Sequence, residues 1–273
     1  MRFTVFGGTG FIGRTLVSHL REHGHAVDAP SRNLDSLPGG NLGHVIYAIG
    51  LTGNFREQLR ATVTAHVHVL QNLMEEAEFE SWLYLSSTRV YGGLPDDVPA
   101  SEDAPLLVRP GRDAIYDLSK LLGESICLAM NRRTVRVARL SNVYGAGQSV
   151  HSFLGSVLRD LARNGEVVIR ESPVSSKDYI SVDRTAEMLV SIATLGKERV
   201  YNVASGIPVT HAQLIDVIRQ CGFRAEFCAG SPTRVFPRID IQRFTNEFTD
   251  RPQSVLDDLP RLIRREAHRC HDN

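Results

Sequence analysis

The run of glycines near the start of the chain constrains the fold more than any other feature. A short apolar stretch that is typical of a buried strand leads into Gly7-Gly8-Thr9-Gly10-Phe11-Ile12-Gly13, and a helical pattern follows. Gly8, Gly10 and Gly13 fit the pattern G-x-G-x-x-G, and a second pattern, G-x-x-G-x-x-G, begins at Gly7. A strand, a glycine turn and a helix in this order predict that the backbone closely approaches a pyrophosphate, which the helix N-terminus binds through its free amide groups.

Apolar runs that could be buried strands recur through the first half of the chain, at residues 3–6, 26–29, 45–49, 82–85 and 135–140. Stretches with the apolar period of a helix separate most of them, at residues 11–23, 55–78 and 116–131. The helical stretches are long enough to act as crossovers between strands. This alternation predicts an α/β fold with a doubly wound parallel sheet that is covered on both faces.

The pattern loosens after residue 140 and indicates a second, smaller unit. It contains helical stretches at residues 153–164 and 182–195, a short strand at 167–169, a loop at 171–177 and a tail at 254–269 that is compatible with a helix. A further helix is expected to begin at Thr210, because Thr210-His211-Ala212-Gln213 has the sequence of a capping box, and to end at Gly222. We therefore expect one unit over residues 1–145 and about 181–203, and a small C-terminal lobe over about 146–180 and 204–273.

The composition of the chain excludes several classes of protein. The 273 residues carry 31 basic and 31 acidic side chains, so there is no net positive field to attract nucleic acid or an anionic membrane. The four cysteines, Cys127, Cys221, Cys228 and Cys270, form no C-x-x-C pair, and we expect no metal site. No apolar run approaches the roughly 18 residues of a membrane helix, and the N-terminus lacks the core of a signal peptide. These observations predict a soluble cytoplasmic protein without nucleic-acid or membrane partners.

His66 and His68 are the two residues that most resemble a pair of metal ligands. They lie two positions apart on a predicted helix, where their side chains diverge by about 200°. We therefore assign both histidines to packing or to the surface rather than to a metal.

The end of the second strand selects the cofactor in dinucleotide-binding folds, because an acidic residue there binds the ribose 2′-hydroxyl and an arginine binds a 2′-phosphate. Here Ser31 and Arg32 follow the second predicted strand. They favour NADP(H), while NAD(H) stays possible. Asp28 lies within the strand, and we expect its carboxylate to point away from the strand's end.

Two polar clusters in the first half of the chain carry candidate catalytic groups. Tyr116 and Lys120 are four residues apart and therefore share one face of a predicted helix. A nearby ammonium stabilises the phenolate and lowers the pKa of a tyrosine, so this pair could transfer a proton at neutral pH. Ser86, Ser87 and Thr88 follow the fourth predicted strand, where the carboxyl end of a parallel strand faces the ligand. A hydroxyl there could bind a substrate carbonyl oxygen beside the tyrosine.

Six segments, taken in order, give the chain a resemblance to a known family. They are Gly7-Gly8-Thr9-Gly10-Phe11-Ile12-Gly13, Ser86-Ser87-Thr88-Arg89-Val90-Tyr91-Gly92, Tyr116-x-x-x-Lys120, Arg139-Leu140-Ser141-Asn142-Val143-Tyr144-Gly145, Lys177-Asp178-Tyr179-Ile180-Ser181-Val182-Asp183 and Tyr201-Asn202-Val203-Ala204-Ser205-Gly206. Their order and spacing resemble the extended short-chain dehydrogenase/reductases, the NAD(P)-dependent nucleotide-sugar epimerase, dehydratase and ketoreductase group. The resemblance implies a Rossmann-like dinucleotide-binding domain, a small C-terminal substrate-binding lobe and a nucleotide-linked sugar as substrate.

The resemblance also implies roles for individual residues. Ser87, Tyr116 and Lys120 would be the catalytic set, with Tyr116 transferring the proton and Lys120 holding the ribose and tuning the phenol. The residues expected to contact the cofactor are Gly7, Gly10, Phe11, Ile12, Gly13, Ser31, Arg32, Ala48, Lys120 and Val143. The residues expected to bind the substrate are Ser87, Thr88, Asn142, Lys177 and a diphosphate-binding arginine, Arg234 or Arg238. A homodimer is implied as well, with the stretches 55–78 and 116–131 packed across a two-fold axis.

Departures from the family pattern disfavour some of the reactions that the family catalyses. Dehydratases of the family follow the catalytic Ser/Thr with Asp-Glu, where this chain has Thr88-Arg89. Members that epimerise beside a keto group use a Cys where this chain has Arg89, and a His where it has Ala146-Gly147-Gln148. The link between Arg32 and the next strand is also too short for the usual helix, strand and adenine-contacting Asp.

The chemistry that remains needs one hydride and one proton. It is either the reduction of a keto sugar by a 4-ketoreductase, which NADP(H) favours, or 4-epimerisation through a transient ketone. A catalytically silent NADP-binding sensor or scaffold is the alternative of a different class. The complete set of Ser87, Tyr116 and Lys120 argues against that alternative.

Overall fold

The computed structural model describes residues 1–30, 40–51, 55–95, 97–249 and 252–271, with side chains up to residue 267. Ser31 and Arg32, the expected cofactor selector, lie outside the described residues. The strands are β1 (Arg2–Phe6), β2 (Ala26–Asp28), β3 (His44–Tyr47), β4 (Ser81–Ser87), β5 (Val135–Leu140), β6 (Asn142–Tyr144), β7 (Glu166–Ile169), β8 (Ser176–Ser181), β9 (Val200–Val203), β10 (Pro208–Thr210) and β11 (Arg224–Phe227). The helices are α1 (Phe11–Glu22), α2 (Leu59–Val63), α3 (Val69–Glu76), α4 (Ile115–Ala129), α5 (Phe153–Asn164), α6 (Val182–Leu195), α7 (His211–Gln220), α8 (Gln242–Glu247) and α9 (Val255–His271).

A six-stranded parallel sheet forms the centre of the fold, in the order β2-β1-β3-β4-β5-β9. β1 lies between β2 and β3, with Phe3 opposite Val27 on one side and His44 on the other. The chain therefore winds outward in both directions from β1, which confirms the predicted α/β fold with a doubly wound parallel sheet. Among the described residues, β2 is an edge strand of this sheet.

Alternate side chains of the sheet enter two separate cores, as the two-residue period of a strand requires. On β4, Leu83 and Leu85 pack in the core that contains α1 and α6, whereas Trp82 and Tyr84 pack in the core that contains α3 and α4. Trp82 is fully buried, and its ring stacks on that of Phe6 with centroids 6.1 Å apart. Because helices cover both faces, the carboxyl ends of the strands are left to form a site.

α6 and β9 return the chain to the central sheet after β6, β7 and β8, which belong to other sheets. Ala186 and Leu189 of α6 and Tyr201 of β9 lie in the same core as Leu16 of α1. Phe244 of α8 joins this core from still later in the chain. The central sheet is therefore completed by residues that follow β6, β7 and β8 in the chain.

Two small sheets and three helices share an apolar cluster of their own. β6, β8 and β10 form one sheet, β7 and β11 form the other, and α5, α7 and α9 supply their apolar cover. The expected capping box is present at the start of α7, where the amide of Gln213 donates to Thr210 Oγ1 at 3.2 Å. The loop predicted at 171–177 is wrong in its last two residues, because β8 begins at Ser176 and pairs with β10. The first half of β8 is polar, so backbone pairing rather than an apolar run forms this strand.

The helix predicted at 55–78 is shorter than expected and is interrupted. Residues 55–58 are not helical, and a single π-turn over Thr64–His68 separates α2 from α3. Phe55, which fits the helical pattern, is instead buried against Tyr116, with ring centroids 5.3 Å apart. A tertiary contact therefore replaces the first turn of this helix. The strand predicted at 45–49 also lies slightly earlier in the chain, at His44–Tyr47.

Two negative findings hold for the part of the chain that the structure describes. It contains no helix that is both long enough and apolar enough to cross a membrane. Nor does it contain a group of three His, Cys, Asp or Glu side chains that could hold a metal ion.

Candidate active site

The glycine turn between β1 and α1 is too tight for side chains at three of its positions, Gly7, Gly8 and Gly13, and a Cβ on Gly8 would lie 2.8 Å from the Cβ of Ala29. Gly7 has φ +85°, and a Cβ there would lie 2.8 Å from the carbonyl of Ala48. A Cβ on Gly13 would lie 2.1 Å from the carbonyl oxygen of Gly7. A Cβ on Gly10, by contrast, would contact this oxygen at 3.3 Å and is otherwise open. The turn is thus closely packed at Gly7, Gly8 and Gly13, while its backbone is open at Gly10. This combination fits the close approach of the pyrophosphate of a dinucleotide.

The first turn of α1 is suited to an anion. Its N-cap residue, Gly10, makes no side-chain capping bond, and the turn contains no acidic residue. The amide groups of this turn are therefore available to a phosphate at the positive end of the helix dipole. Phe11 lies beside the end of β6, with its Cζ atom 3.8 Å from the position of a Cβ on Gly145. The glycine turn thus lies beside Ala48, and the start of α1 lies beside the end of β6, the strand that contains Val143.

The three predicted catalytic residues are brought together at the end of β4. Ser87 is the last residue of this strand, and Tyr116 and Lys120 lie one turn apart near the start of α4. Both α4 side chains are buried, and Lys120 Nζ donates a hydrogen bond to the carbonyl oxygen of Leu85 at 2.7 Å. Ser87 Oγ accepts from the amide of Arg89 at 3.2 Å and also interacts with the Tyr116 phenol. This arrangement supplies a hydroxyl, a phenol and an ammonium at one edge of the sheet.

Several charged and polar groups act on the Tyr116 phenol. Burial raises the pKa of Tyr116, whereas the hydrogen bond with Ser87 and the guanidinium of Arg89 act to lower it. The Arg89 guanidinium lies 5.3 Å from the centroid of the Tyr116 ring. Asp117 holds it there through Nε–Oδ1 and Nη2–Oδ2 contacts of 2.9 and 3.5 Å. Arg89, which the sequence identified as a departure from the family, is therefore a cation that faces the phenol.

Lys120 is a buried cation with a carboxylate one turn further along the helix. Burial lowers the pKa of Lys120 to about 7, and the Glu124 carboxylate acts in the opposite direction. Glu124 in turn accepts hydrogen bonds from Arg139 Nη2 at 2.7 Å and from Ser86 Oγ at 2.5 Å. The four-residue spacing of Tyr116, Lys120 and Glu124 is the signal in the sequence that could have identified this carboxylate.

Asp28 is directed away from the end of β2, as expected. Arg2, at the start of β1, donates to Asp28 Oδ2 from Nε at 3.1 Å and from Nη2 at 2.8 Å. This carboxylate is thus already paired.

The predicted substrate-binding residues lie on β6, on β8, on the segment after β11 and on the end of β4. Asn142 Nδ2 donates to the carbonyl oxygen of Asp178 at 2.8 Å, which places it beside β8. Lys177 forms a 3.1 Å salt bridge with Glu171, and Arg234 is close enough to act on its pKa. Thr88 is buried directly after β4. Arg238 is exposed, and its backbone carbonyl oxygen accepts a hydrogen bond from the amide of Ala100. Asn142, Lys177 and Arg234 are thus brought to one region, and their substrate roles stay predictions.

Comparison with known proteins adds independent information. The model of the "NAD dependent epimerase/dehydratase family" matches residues 41–204 of the chain. The dTDP-4-dehydro-6-deoxyglucose reductase of Escherichia coli is 29% identical over 224 residues, which cover 77% of this chain and 69% of that protein. The dTDP-6-deoxy-L-talose 4-dehydrogenase (NAD(P)(+)) of Kitasatospora kifunensis is 26% identical over 251 residues, which cover 80% and 78%. The solved structure of MoeE5 in complex with UDP-glucuronic acid and NAD superposes with a TM-score of 0.79 at 25% identity, over 97% of this chain and 99% of that one.

Proposed function

The chain belongs to the NAD dependent epimerase/dehydratase family, and from this premise we propose that it is an NAD(P)-dependent oxidoreductase of a nucleotide-linked sugar, acting as a 4-ketoreductase. One observation carries the proposal. Ser87, Tyr116 and Lys120 meet at the carboxyl end of β4, on the same edge of the sheet as the glycine turn. The reductase and dehydrogenase names of two of its relatives support the same class of reaction.

The residues of the site suit the reduction of a ketone. A bound nicotinamide cofactor supplies the hydride. Ser87 would donate a hydrogen bond to the keto oxygen, and Tyr116 Oη would transfer its proton to that oxygen, which becomes a hydroxyl. Lys120 would leave the carbonyl oxygen of Leu85 to hold the ribose and to stabilise the phenolate that forms. The glycine turn and the first turn of α1 would hold the pyrophosphate.

Arg89 supports reduction over dehydration. A dehydratase needs a second acid and base near the sugar, and a guanidinium does not exchange protons at neutral pH. Arg89 is, moreover, engaged with Asp117 and lies over the tyrosine ring. A 4-epimerase would use the same three residues as a ketoreductase, so the two activities are separated by experiment.

We further propose that NADP(H) is preferred over NAD(H), through Ser31 and Arg32. The Arg32→Asp variant would repel a 2′-phosphate and provide an acceptor for a 2′-hydroxyl. Titration of both cofactors into the wild type and this variant tests the preference. A wild type that prefers NAD(H), with no change in the variant, would contradict it.

A homodimer is also proposed, with α4 and the α2–α3 segment packed across a two-fold axis. Leu118 and Leu122 of α4 are 37% and 50% exposed, and Leu59 of α2 is 47% exposed. Large apolar side chains on neighbouring helices mark an interaction surface. Light scattering at micromolar concentration should give a dimer mass for the wild type and a monomer for Leu122→Glu. The cytoplasmic location and the lack of nucleic-acid and membrane partners stay predictions of the sequence.

The decisive test of the proposed function uses NADPH, a panel of nucleotide-linked 4-keto sugars and three proteins. The wild type should consume NADPH stoichiometrically, while epimer formation at constant absorbance would support the 4-epimerase. Tyr116→Phe should lower turnover by roughly two or more orders of magnitude, the usual scale for acid–base catalysis, with nearly unchanged cofactor affinity. Lys120→Met should weaken cofactor binding as well. Full activity of Tyr116→Phe would discard both enzymatic functions.

A further inference from the structure

His66 is a buried residue at the candidate active site that the proposed chemistry does not use. It is fully enclosed, and its ring meets that of Tyr116 edge-on, at a centroid distance of 5.4 Å and an angle of 84°. It lies in the π-turn between α2 and α3, and π-turns inside helices are frequent at functional sites. The packing role that the sequence favoured is thus incomplete as a description of this residue.

The hydrogen bonds around His66 fix the tautomer of its ring. Ser119 Oγ donates to the carbonyl oxygen of Tyr116 at 2.9 Å, which uses the only hydrogen of that hydroxyl. Because His66 Nδ1 lies 2.8 Å from the same Oγ, Nδ1 must carry a proton and donate it. On the other side of the ring, the amide of Leu51 donates to Nε2 at 3.4 Å, so Nε2 must be an acceptor. The first contact places a proton on Nδ1 and the second leaves Nε2 without one, so together they assign a neutral imidazole with its proton on Nδ1.

This imidazole joins two parts of the candidate site. On one side is the loop after β3, which borders the glycine turn through Ala48. On the other side is the first turn of α4, which carries Tyr116 and Lys120. A Cβ on Gly50, in the same loop, would lie 3.2 Å from His66 Nε2 and 3.4 Å from Lys120 Nζ. The imidazole and the ammonium therefore flank the same point of the loop backbone.

The surroundings of the ring keep it in one form. The groups that face it are the ring of Tyr116, the hydroxyl of Ser119 and the ammonium of Lys120. Tyr84 Oη donates to the backbone carbonyl oxygen of His66 at 3.3 Å. Burial, and secondarily the charge of Lys120, lowers the pKa of His66 to about 2. An imidazole that stays neutral can donate and accept at its two ends over the whole working pH range.

We propose that His66 is a positioning residue, which ties the loop after β3 to the helix of Tyr116 and Lys120 and so sets the distance between the bound cofactor and the phenol. The effect on turnover rests on the proposed function, whereas the hydrogen-bond chain and the effect on cofactor binding do not. Loss of the side chain should let the loop and α4 separate, and a displacement of about 1 Å in such a site costs on the order of 100-fold in rate.

The first experiment tests the hydrogen-bond chain without any substrate. Nitrogen NMR of ¹⁵N-histidine-labelled protein should show one ring in the Nδ1-protonated neutral form between about pH 5 and pH 9. This signal should be absent from His66→Gln, which assigns it. A ring that is protonated in this range, or protonated on Nε2, would overturn the proposal.

The second experiment tests the consequence of losing the chain. His66→Leu removes both hydrogen bonds, His66→Gln retains an amide donor and an acceptor, and His68→Leu alters an exposed residue of the same π-turn as the control. We expect kcat of His66→Leu to fall on the order of 10- to 100-fold, with weaker cofactor binding by fluorescence titration, partial rescue in His66→Gln and no change in the control. Ser119→Ala, which removes the Nδ1 partner alone, serves if His66→Leu does not fold. Wild-type cofactor affinity and wild-type kcat in a folded His66→Leu would overturn the proposal. If the wild type has no ketoreductase activity but His66→Leu still binds the cofactor more weakly, only the proposed function is refuted.

Discussion

The buried ammonium of Lys120 should make cofactor binding depend on pH. Burial lowers the pKa of Lys120 to about 7, with the Glu124 carboxylate opposing the shift. In the free protein, therefore, roughly nine tenths of the molecules carry this proton at about pH 6, roughly half at about pH 7 and roughly a tenth at about pH 8. The proposed role of Lys120 at the ribose needs the ammonium, because only the protonated form can donate hydrogen bonds to the ribose hydroxyls and stabilise the phenolate.

Binding should consequently take up protons from the solvent. The proposed contact with the ribose requires the ammonium, so cofactor binding should raise the pKa of Lys120 until the complex is fully protonated, and the uptake is then the fraction of free molecules that lack the proton. It rises from about 0.1 proton at pH 6 to about 0.5 at pH 7 and about 0.9 at pH 8. Because the complex binds more protons than the free protein, affinity falls as pH rises above about 7, and log Kd approaches a slope of one per pH unit.

Isothermal titration calorimetry in pairs of buffers with different ionisation enthalpies measures this uptake directly. Lys120→Met is the matched control, because it retains the length of the side chain and cannot be protonated. Its subtraction also removes protons taken up by the phosphates of the cofactor. Equal uptake by the wild type and Lys120→Met at pH 8 would refute the argument, as would an uptake that decreases between pH 6 and pH 8.

Three further predictions concern stability and the glycine turn. Glu124→Gln should lose about 3–5 kcal/mol of unfolding free energy, because its pair with Arg139 is almost fully buried. Asp117→Asn should lose less, because the side chains of the Arg89–Asp117 pair are 38% and 16% exposed. Urea denaturation compares the two variants, and equal losses would contradict the reasoning. Gly13→Ala should abolish cofactor binding, because its Cβ would lie 2.1 Å from the carbonyl oxygen of Gly7, and Gly111→Ala, with open space around it, is the control in the same fluorescence titration. Thr210→Ala should lose about 0.5–2 kcal/mol through the capping box, a loss that thermal unfolding at fixed pH would detect.

Elements with a clear apolar period were predictable from the sequence. β5, α5 and α6 begin and end where the pattern of apolar residues predicted. Both faces of β5 are buried, and each of the two helices buries one regular face. The sequence predicts a loop over the start of β8, because Ser176, Lys177 and Asp178 are polar. The strand forms there through backbone pairing with β10 and β6. Local patterns do not report contacts of this kind between distant segments.

The candidate site likewise contains features that the sequence predicts and contacts that only the structure shows. The glycine turn and the Tyr116–Lys120 pair depend on spacing within one segment, so the sequence revealed them. The pairing of Arg89 with Asp117 joins the end of a strand to a helix 28 residues later, and the contact of His66 with Ser119 spans 53 residues. These contacts required the three-dimensional arrangement, and the π-turn that orients His66 has no signal in the apolar pattern.

The late arrival of β9 has a consequence for synthesis of the chain on the ribosome. β5 ends at Leu140 and its outer neighbour begins at Val200, about 60 residues later. At 5–20 residues per second, the growing chain therefore leaves β5 as an open edge for roughly 3–12 seconds. Open edges invite pairing with other chains, and charged side chains on them discourage it. Arg136 supplies such a charge during this interval, and in the finished protein it is buried and bonded to the carbonyl oxygen of Ala193, which is synthesised later. We therefore expect this arginine to discourage pairing of the open edge with other chains before it becomes part of the completed core.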